Sequence, residues 1–405
     1  MPTSLTAGCL LAIGCLGFAP LAARAAEADP AAPEESPAIS LSASYKGEAR
    51  DLVSGGLRTG SAYLDDVDLQ LSADLDKTIG WTAAQFFLYG LYNNGHSFSG
   101  DRVGDLNGIS NIETSVEALR IQEAWVDQSF ADGHASLRVG LYDLNTEFDT
   151  GEVKSLFLVP SHGIGPDFSQ SGQNGPSIFP VTSLAARLNW NFDGGFYARA
   201  AVLDGVPGDP AHPKRTTINL SSRDGALLVG EIGLAVEHDR KWSVGVWTYT
   251  AAFPDLTTAA THRDNRGGYA AIEQRLMSRD EGCAFDLAGS LRLGVADDNI
   301  NPLSSYLGAG LVATGLFSLR PDDQLGLAVA VANTGAKFRS QVALAGGDPA
   351  DREINLELTY FADVTEWLSV QPDLQYVINP GADSSVDNAF VVGLRFQVKK
   401  NWGFD

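Results

Sequence analysis

Apolar and polar residues alternate along most of the chain in segments of about ten residues, the length of a membrane-spanning strand. In DDVDLQLSADL (65–75), Leu69 and Leu71 share one face, whereas Asp66 and Asp68 share the other. The same alternation recurs in SLAARLNWNF, FYARAAV, EINLELTYF and NAFVVGLRFQV. A period of two residues is the signature of a β-strand. The pattern therefore predicts a single all-β domain.

The connections between these segments alternate between tight and long. The tight ones are Asp193-Gly194-Gly195, 237–240 and 321–323, and the long ones are 94–116, 143–181, 205–226, 253–266 and 335–352. Short turns at one end and long loops at the other are typical of a barrel in an outer membrane. About sixteen strands fit between residues 39 and 398, each long enough to cross a bilayer. We therefore expect a transmembrane antiparallel β-barrel with a long loop that folds inward.

The polar face of the predicted strands decides between a membrane barrel and a soluble sandwich. That face carries Arg, Glu and Asp together and is rich in Gly and Ala, as expected for the wall of a water-filled lumen. Aromatic residues stand near predicted strand ends, where interfacial girdles form; these are Trp81, Trp190, Phe192, Trp242, Phe361 and Trp367. A soluble all-β sandwich, which buries its apolar face, is the alternative.

The N-terminus reads as an export signal. The run 10–21 is apolar but too short to span a bilayer as a helix, and Ala23-Arg24-Ala25 is a small-x-small cleavage site. We predict a signal peptide at 1–25, a disordered acidic leader at 26–38 and a barrel at 39–405. A lipoprotein modified at Cys15 is the alternative for the N-terminus.

Composition narrows the function classes. The formal net charge of −22 disfavours nucleic acid as a partner. After signal cleavage only Cys283 remains, which excludes an intramolecular disulfide framework. The six His residues lack zinc-ligand spacing, there is no G-x-S-x-G, and His96 and His162 have no acid–nucleophile pair nearby in the sequence. The sequence thus predicts no catalytic site, metal or cofactor, and no enzyme.

The longest connection, 143–181, contains SHGIGPDFSQSGQNGPSIFP (161–180), which has several glycines and prolines and almost no charge. A sixteen-stranded barrel encloses an aqueous channel, so selectivity requires something that narrows it. We expect this loop to fold inward as the constriction, with His162, Gly163, Phe168, Gln170, Gln173 and Asn174 as its functional residues. A mobile surface loop is the alternative.

Several longer motifs are familiar. They are RVGLYDLNTEFD (138–149), SHGIGPDFSQSGQNGPSIFPVTSLAARL (161–188), LSVQPDLQYVINPG (368–381), and GDLNGISNIE followed by EALRIQEAWVDQSF. From about residue 39 onward the chain resembles the carbohydrate-selective porins of the OprB type. The resemblance implies a sixteen-stranded barrel in the outer membrane of a Gram-negative bacterium. It also implies passive diffusion of monosaccharides, glucose-like sugars especially, into the periplasm.

Inward-facing arginines and carboxylates are the candidate channel-lining residues. Guanidinium and carboxylate groups offer donors and acceptors of fixed geometry to sugar hydroxyls. The candidates are Arg120, Arg138, Asp143, Asp167, Arg187, Arg199, Glu357, Asp373 and Arg395. Alternation also places Gln122, Arg292, Asp66, Asp68 and Glu231 inward, and leaves the facing of Trp125 and Trp247 open. The alternative for each residue is a network that stiffens the wall without contacting a solute.

The expected partners are monosaccharides, outer-membrane lipid and the barrel insertion machinery. Insertion signals usually end on an aromatic residue, and Phe396, Trp402 and Phe404 are the candidates here. Because several arginines face inward, a general or anion-preferring porin is the alternative function. The sequence leaves open whether copies of the chain associate as a homo-oligomer.

Overall fold

Sixteen antiparallel strands form one closed barrel in the computed structural model, which describes residues 37–263 and 265–405. The strands are β1 Ile39–Ser54, β2 Gly60–Asp74, β3 Ala84–Asn93, β4 Ala118–Phe130, β5 Ala135–Tyr142, β6 Ser183–Asn191, β7 Phe196–Asp204, β8 Ala226–Val236, β9 Arg240–Tyr249, β10 Arg266–Met277, β11 Asp286–Ala296, β12 Leu303–Thr314, β13 Gln324–Thr334, β14 Arg352–Thr365, β15 Leu368–Ile378 and β16 Ala389–Phe404. The predicted signal peptide and nearly all of the predicted leader lie outside the described residues.

Helices are short and confined to the connections. They are α1 Leu75–Ile79, α2 Pro160–Gly163, α3 Pro166–Ser169 and α4 Ala336–Leu344. Single π or 3-10 turns occupy Ser99–Val103, Leu144–Thr146, Lys154–Leu156, Asp193–Gly195, Arg279–Glu281 and Pro380–Ala382. A two-stranded ribbon pairs Phe253–Pro254 with Thr261–His262. Among the described residues, no helix is both long enough and apolar enough to cross a membrane.

The barrel closes between the first and last strands. β1 pairs with β16 from Ile39 opposite Phe404, and with β2 on its other edge. The last strand therefore extends beyond residue 398, where the sequence predicted its end, because the start of β1 offers it a partner. Trp402 and Phe404, two of the candidate insertion aromatics, lie in this paired end and are exposed.

The side chains alternate across the wall as predicted. On β2, Asp66 and Asp68 are 1% and 6% exposed, whereas Leu69 is 52% exposed on the outer face. A single closed sheet with an apolar exterior is the reverse of a soluble sandwich, which excludes that alternative. The predicted membrane barrel is confirmed.

The connections also alternate between the two rims. One rim carries the short turns 75–83, 131–134, 192–195, 237–239, 278–285, 315–323 and 366–367; we call it the turn rim. The other, the loop rim, carries 55–59, 94–117, 143–182, 205–225, 250–265, 297–302, 335–351 and 379–388. Outer-membrane barrels place short turns at the periplasmic side and long loops outside. The turn rim is therefore periplasmic.

Most of the predicted girdle aromatics face outward near the turn rim. Trp81, Trp190 and Trp367 are 47%, 40% and 53% exposed. Phe361 is the exception, because it continues the inward series of β14 and packs with Leu156 inside the barrel. Assigning it to the girdle was wrong, since its side follows from strand parity rather than from its position near a strand end.

Candidate functional site

The connection 143–182 starts and ends beside neighbouring strands, β5 and β6. Asp143 holds its base together: the backbone N–H groups of Asn145 and Phe179 both donate to its carboxylate at 2.9 Å. The Gln122 amide donates to the same carboxylate at 3.3 Å. Burial raises the pKa of Asp143 to about 6. The base of the loop is thus fixed by an acidic group that sequence reasoning had assigned to the channel lining.

The far end of the loop binds the opposite wall. The N–H groups of Leu158 and Val159 donate to the Glu357 carboxylate at 2.6 and 3.1 Å. Glu357 lies on β14, eight strands from β6 in a barrel of sixteen, and is 1% exposed. The chain between them therefore crosses the barrel interior.

Two further wall glutamates hold the loop between these ends. Glu231 on β8 accepts from the Asp149 N–H at 2.9 Å. Glu273 on β10 accepts from the N–H groups of Glu152 and Lys154 at 2.7 and 3.1 Å. Three strands thus bind the backbone of the loop rather than its side chains.

Arg292 on β11 adds ion pairs to this set. Its guanidinium donates to Asp149 at 2.7 Å and to Asp167 at 2.6 Å, and Lys154 donates to Asp149 at 2.8 Å. Burial opposes ionisation of Asp149, but Arg292 and Lys154 outweigh it and lower its pKa. For Asp167, burial dominates and raises the pKa despite Arg292. Asp167 is therefore held against the wall and is fully buried.

Aromatic packing fills the space behind the loop. Phe168 stacks on Trp247 with ring centroids 5.0 Å apart and an angle of 5°. Phe157 lies over Gly310 and Gly326, where an added Cβ would come within 2.6 and 2.8 Å of its ring. The glycines on β12 and β13 therefore leave the volume that this ring occupies.

The predicted constriction residues divide into buried anchors and exposed polar groups. His162 is buried against Phe157, and burial, followed by the charge of Lys154, lowers its pKa to about 3. The Gly163 carbonyl accepts from Lys154 at 3.1 Å. Gln173 is exposed, and Asn174 donates to the Pro207 carbonyl at 2.8 Å. The His162 imidazole is thus neutral and has a structural role in this fold.

A second connection, 94–117, joins the first inside the barrel. Gln170 donates to the Leu106 carbonyl at 2.6 Å, and the Asn111 N–H donates to the Leu158 carbonyl at 2.8 Å. Glu353 on β14 accepts from the Leu106 N–H at 2.7 Å. The two loops therefore form one connected obstruction held by a row of wall glutamates.

A network of arginines and carboxylates covers the wall on β4 to β6. Arg187, which is 2% exposed, donates to Asp127 at 2.6 Å and to Glu147 at 2.7 Å. Arg138 donates to the same Asp127 at 2.9 Å and lies 3.6 Å above the Trp125 ring. Only parts of Arg138 and Glu147 reach the lumen, with side chains 14% and 20% exposed.

The remaining candidates are spread around the barrel. Arg120 donates to the Pro213 carbonyl of the connection 205–225 at 2.6 Å. Arg199 lies 4.0 Å from Glu231 and is 15% exposed. Arg395 pairs with Glu48 and donates to Asn111. Asp373 pairs with Arg50 and is 1% exposed. That these residues contact a solute stays a prediction.

Sequence reasoning missed Glu273, Glu353 and Gln371, which bind loop backbone, although alternation alone would have placed them inward. It also left open which face of the wall Trp125 lies on. The pairing of β4 with β3 shifts register between Ile121 and Glu123, and the sequence does not show this shift. A bulge of this kind changes which parity faces inward. Trp125 and Trp247 both face inward and are buried.

The family comparison agrees with this geometry. The model of the family described as "Carbohydrate-selective porin, OprB family" matches residues 58–399. The chain belongs to the OprB family. It is therefore a porin of the Gram-negative outer membrane, and the resemblance predicted from its motifs is confirmed.

Two relatives and a solved structure match most of the chain. Porin B of Pseudomonas aeruginosa is 28% identical, with 98% of each chain covered. A putative porin named QuiX from Acinetobacter baylyi is 23% identical over 88% of each chain. The high-pH structure of Pseudomonas putida OprB has a TM-score of 0.78 at 22% identity, covering 90% of this chain and 94% of that one. At that identity the structural match shows the fold alone.

Proposed function

We propose that this OprB-family porin passes monosaccharides, glucose-like sugars in particular, by passive diffusion, and that it performs no catalysis. The observation that carries the proposal is the connection 143–182, which is fixed at β5 and β6 and again at Glu357 on β14. A loop that is tethered to opposite walls narrows the lumen permanently and does not act as a moving gate. Such a channel discriminates between solutes by their size and by the hydrogen bonds and contacts that they make with its walls.

The charges of the interior favour neutral solutes. Five of the inward arginines, at 138, 187, 199, 292 and 395, each lie within 4.0 Å of a carboxylate oxygen. Channels that select ions by side-chain charge use a ring of one sign. Because these arginines are each paired with a carboxylate, they offer hydrogen bonds to a solute rather than a field that attracts anions.

The test is solute entry into liposomes that contain the purified porin. Glucose entry is compared with entry of a zwitterionic amino acid of similar size and of a singly charged organic acid. We expect glucose to enter faster than either. Equal entry of glucose and the amino acid would replace the proposal with a general diffusion porin. Faster entry of the organic acid would replace it with an anion-preferring one.

A further inference from the structure

A cavity of about 230 Å³ lies below the tip of the connection 143–182, on the side of the turn rim. Ser155 and Leu156 of the loop form its roof. Its walls come from four consecutive strands, β13 to β16, and include Gln324, the first residue of β13, and Ser369, near the start of β15. Its volume equals that of about eight liquid waters at ~30 Å³ each, which suits one sugar ring.

The polar groups of this cavity are amides and hydroxyls. Gln324, Ser369, Gln371 and Gln397 line it, and of these Gln371 already donates to the Leu156 carbonyl and the Thr359 hydroxyl. An amide side chain offers two donors and two acceptor sites, and a hydroxyl offers one donor and two acceptor sites. Adjacent hydroxyls of a sugar present the same mixture of donors and acceptors. The lining therefore matches a neutral polyol better than it matches an ion.

The single charged group in the wall is already neutralised. Arg395 lines the cavity, and its guanidinium pairs with Glu48, which is fully buried. Its side chain is 11% exposed, so part of it remains available to a solute. A paired guanidinium of this kind donates hydrogen bonds without attracting anions strongly.

The cavity also has an apolar side. Leu156 and Phe361 line it, and both belong to the cluster that anchors the loop tip. An apolar or aromatic surface covers the C–H face of a sugar ring while the hydroxyls bind polar groups elsewhere. The cavity thus combines apolar surface with amides and hydroxyls, which matches the mixed surface of a pyranose.

A second cavity at the same rim provides a contrast within the molecule. It measures about 420 Å³ and lies under the loop beside β8 to β13. Its lining includes Glu237, Asp239, Asp280, Arg240 and Arg275, together with Gln274. Charged side chains dominate this surface, and strongly hydrated charges are costly to desolvate for a neutral solute.

We propose that the smaller cavity, below Ser155 and Leu156, is a monosaccharide subsite at the periplasmic exit of the channel. The inference rests on the proposed sugar-selective function, and it adds a place where the solute binds after passing the loop. A solute that binds at the exit makes the flux saturate. The subsite thus predicts saturable glucose transport rather than flux that stays linear with concentration.

The experiment measures how glucose reduces ion current through single channels in planar bilayers. The variant carries Gln397→Leu and Ser369→Val, and the matched control carries Gln274→Leu in the charged cavity. Neither changed residue hydrogen-bonds the loop. Losing one neutral hydrogen bond weakens binding by about two- to tenfold. We expect the half-saturating glucose concentration to rise by that factor or more in the variant and to stay unchanged in the control.

The outcomes separate the subsite from the function. The subsite proposal is overturned if the half-saturating glucose concentration is equal in wild type, variant and control. It is also overturned if glucose never reduces the wild-type current, even if liposomes still favour glucose. Loss of glucose preference in liposomes would overturn the proposed function itself. If the variant inserts poorly, Ser369→Val alone changes the same cavity from β15, away from the last strand, and the same shift is expected.

Discussion

The tether between Glu357 and the loop yields a sharp prediction. Glu357→Ala removes the acceptor of two buried N–H groups, those of Leu158 and Val159. Each buried donor left without a partner costs about 1–3 kcal/mol, so the tethered state loses about 2–6 kcal/mol. A loss of 3 kcal/mol lowers the ratio of tethered to released loop by roughly 150-fold at 1.4 kcal/mol per factor of ten.

Single-channel recording tests this loss directly. We expect Glu357→Ala to raise the ion conductance and its open-state noise, and to let solutes larger than glucose enter liposomes. Glu357→Gln, which keeps one acceptor oxygen, is expected to give an intermediate result. Glu237→Ala changes a carboxylate whose side chain is 85% exposed in a turn, and serves as the control. Wild-type conductance and size exclusion in a folded Glu357→Ala barrel would refute the claim that this tether sets the constriction.

Three other perturbations have defined outcomes. Gly310→Val places side-chain atoms where the Phe157 ring lies, so we expect displaced loop packing, measured as faster proteolysis of the segment 143–182. Arg187→Gln leaves two carboxylates without their buried partner, so the reversal potential in a KCl gradient is expected to shift toward cation preference, with Arg320→Gln in the exposed turn 315–323 unchanged. Burial raises the pKa of Glu113 from 4.5 to about 7. The folded loop therefore favours the protonated acid, its extra stability is complete below pH 4.5, and that stability is lost as the pH rises through 7. We expect hydrogen exchange in residues 99–113 to slow between pH 8 and 5 after correction for intrinsic rates, and Glu113→Gln to reduce that effect. The remainder is expected from Asp105, because burial raises the pKa of Asp105 to about 6.

The fold could be predicted from periodicity because the sequence of each strand alternates between its two faces. The alternation of Asp68 with Leu69 is enough to place one inside and the other in lipid, whatever the neighbouring strands are. Local pattern does not encode register irregularities, which is why the facing of Trp125 stayed open until the bulge in β4 was visible. It also does not encode contacts such as that between Leu158 and Glu357, which are separated by 199 residues.

The same long-range contacts change which groups a solute meets. The sequence analysis assigned inward carboxylates to sugar binding. In the structure, Glu357 and Asp143 instead accept hydrogen bonds from the loop backbone, and Asp167 binds Arg292. A polar group that is buried and already bonded gives an entering ion little to exchange for its hydration. A neutral polyol loses less hydration, and it regains hydrogen bonds from the amides and hydroxyls that remain exposed. Fixing the loop with the strongest acceptors of the wall therefore leaves the weaker, neutral groups to face the channel, and this division of roles favours sugars over ions.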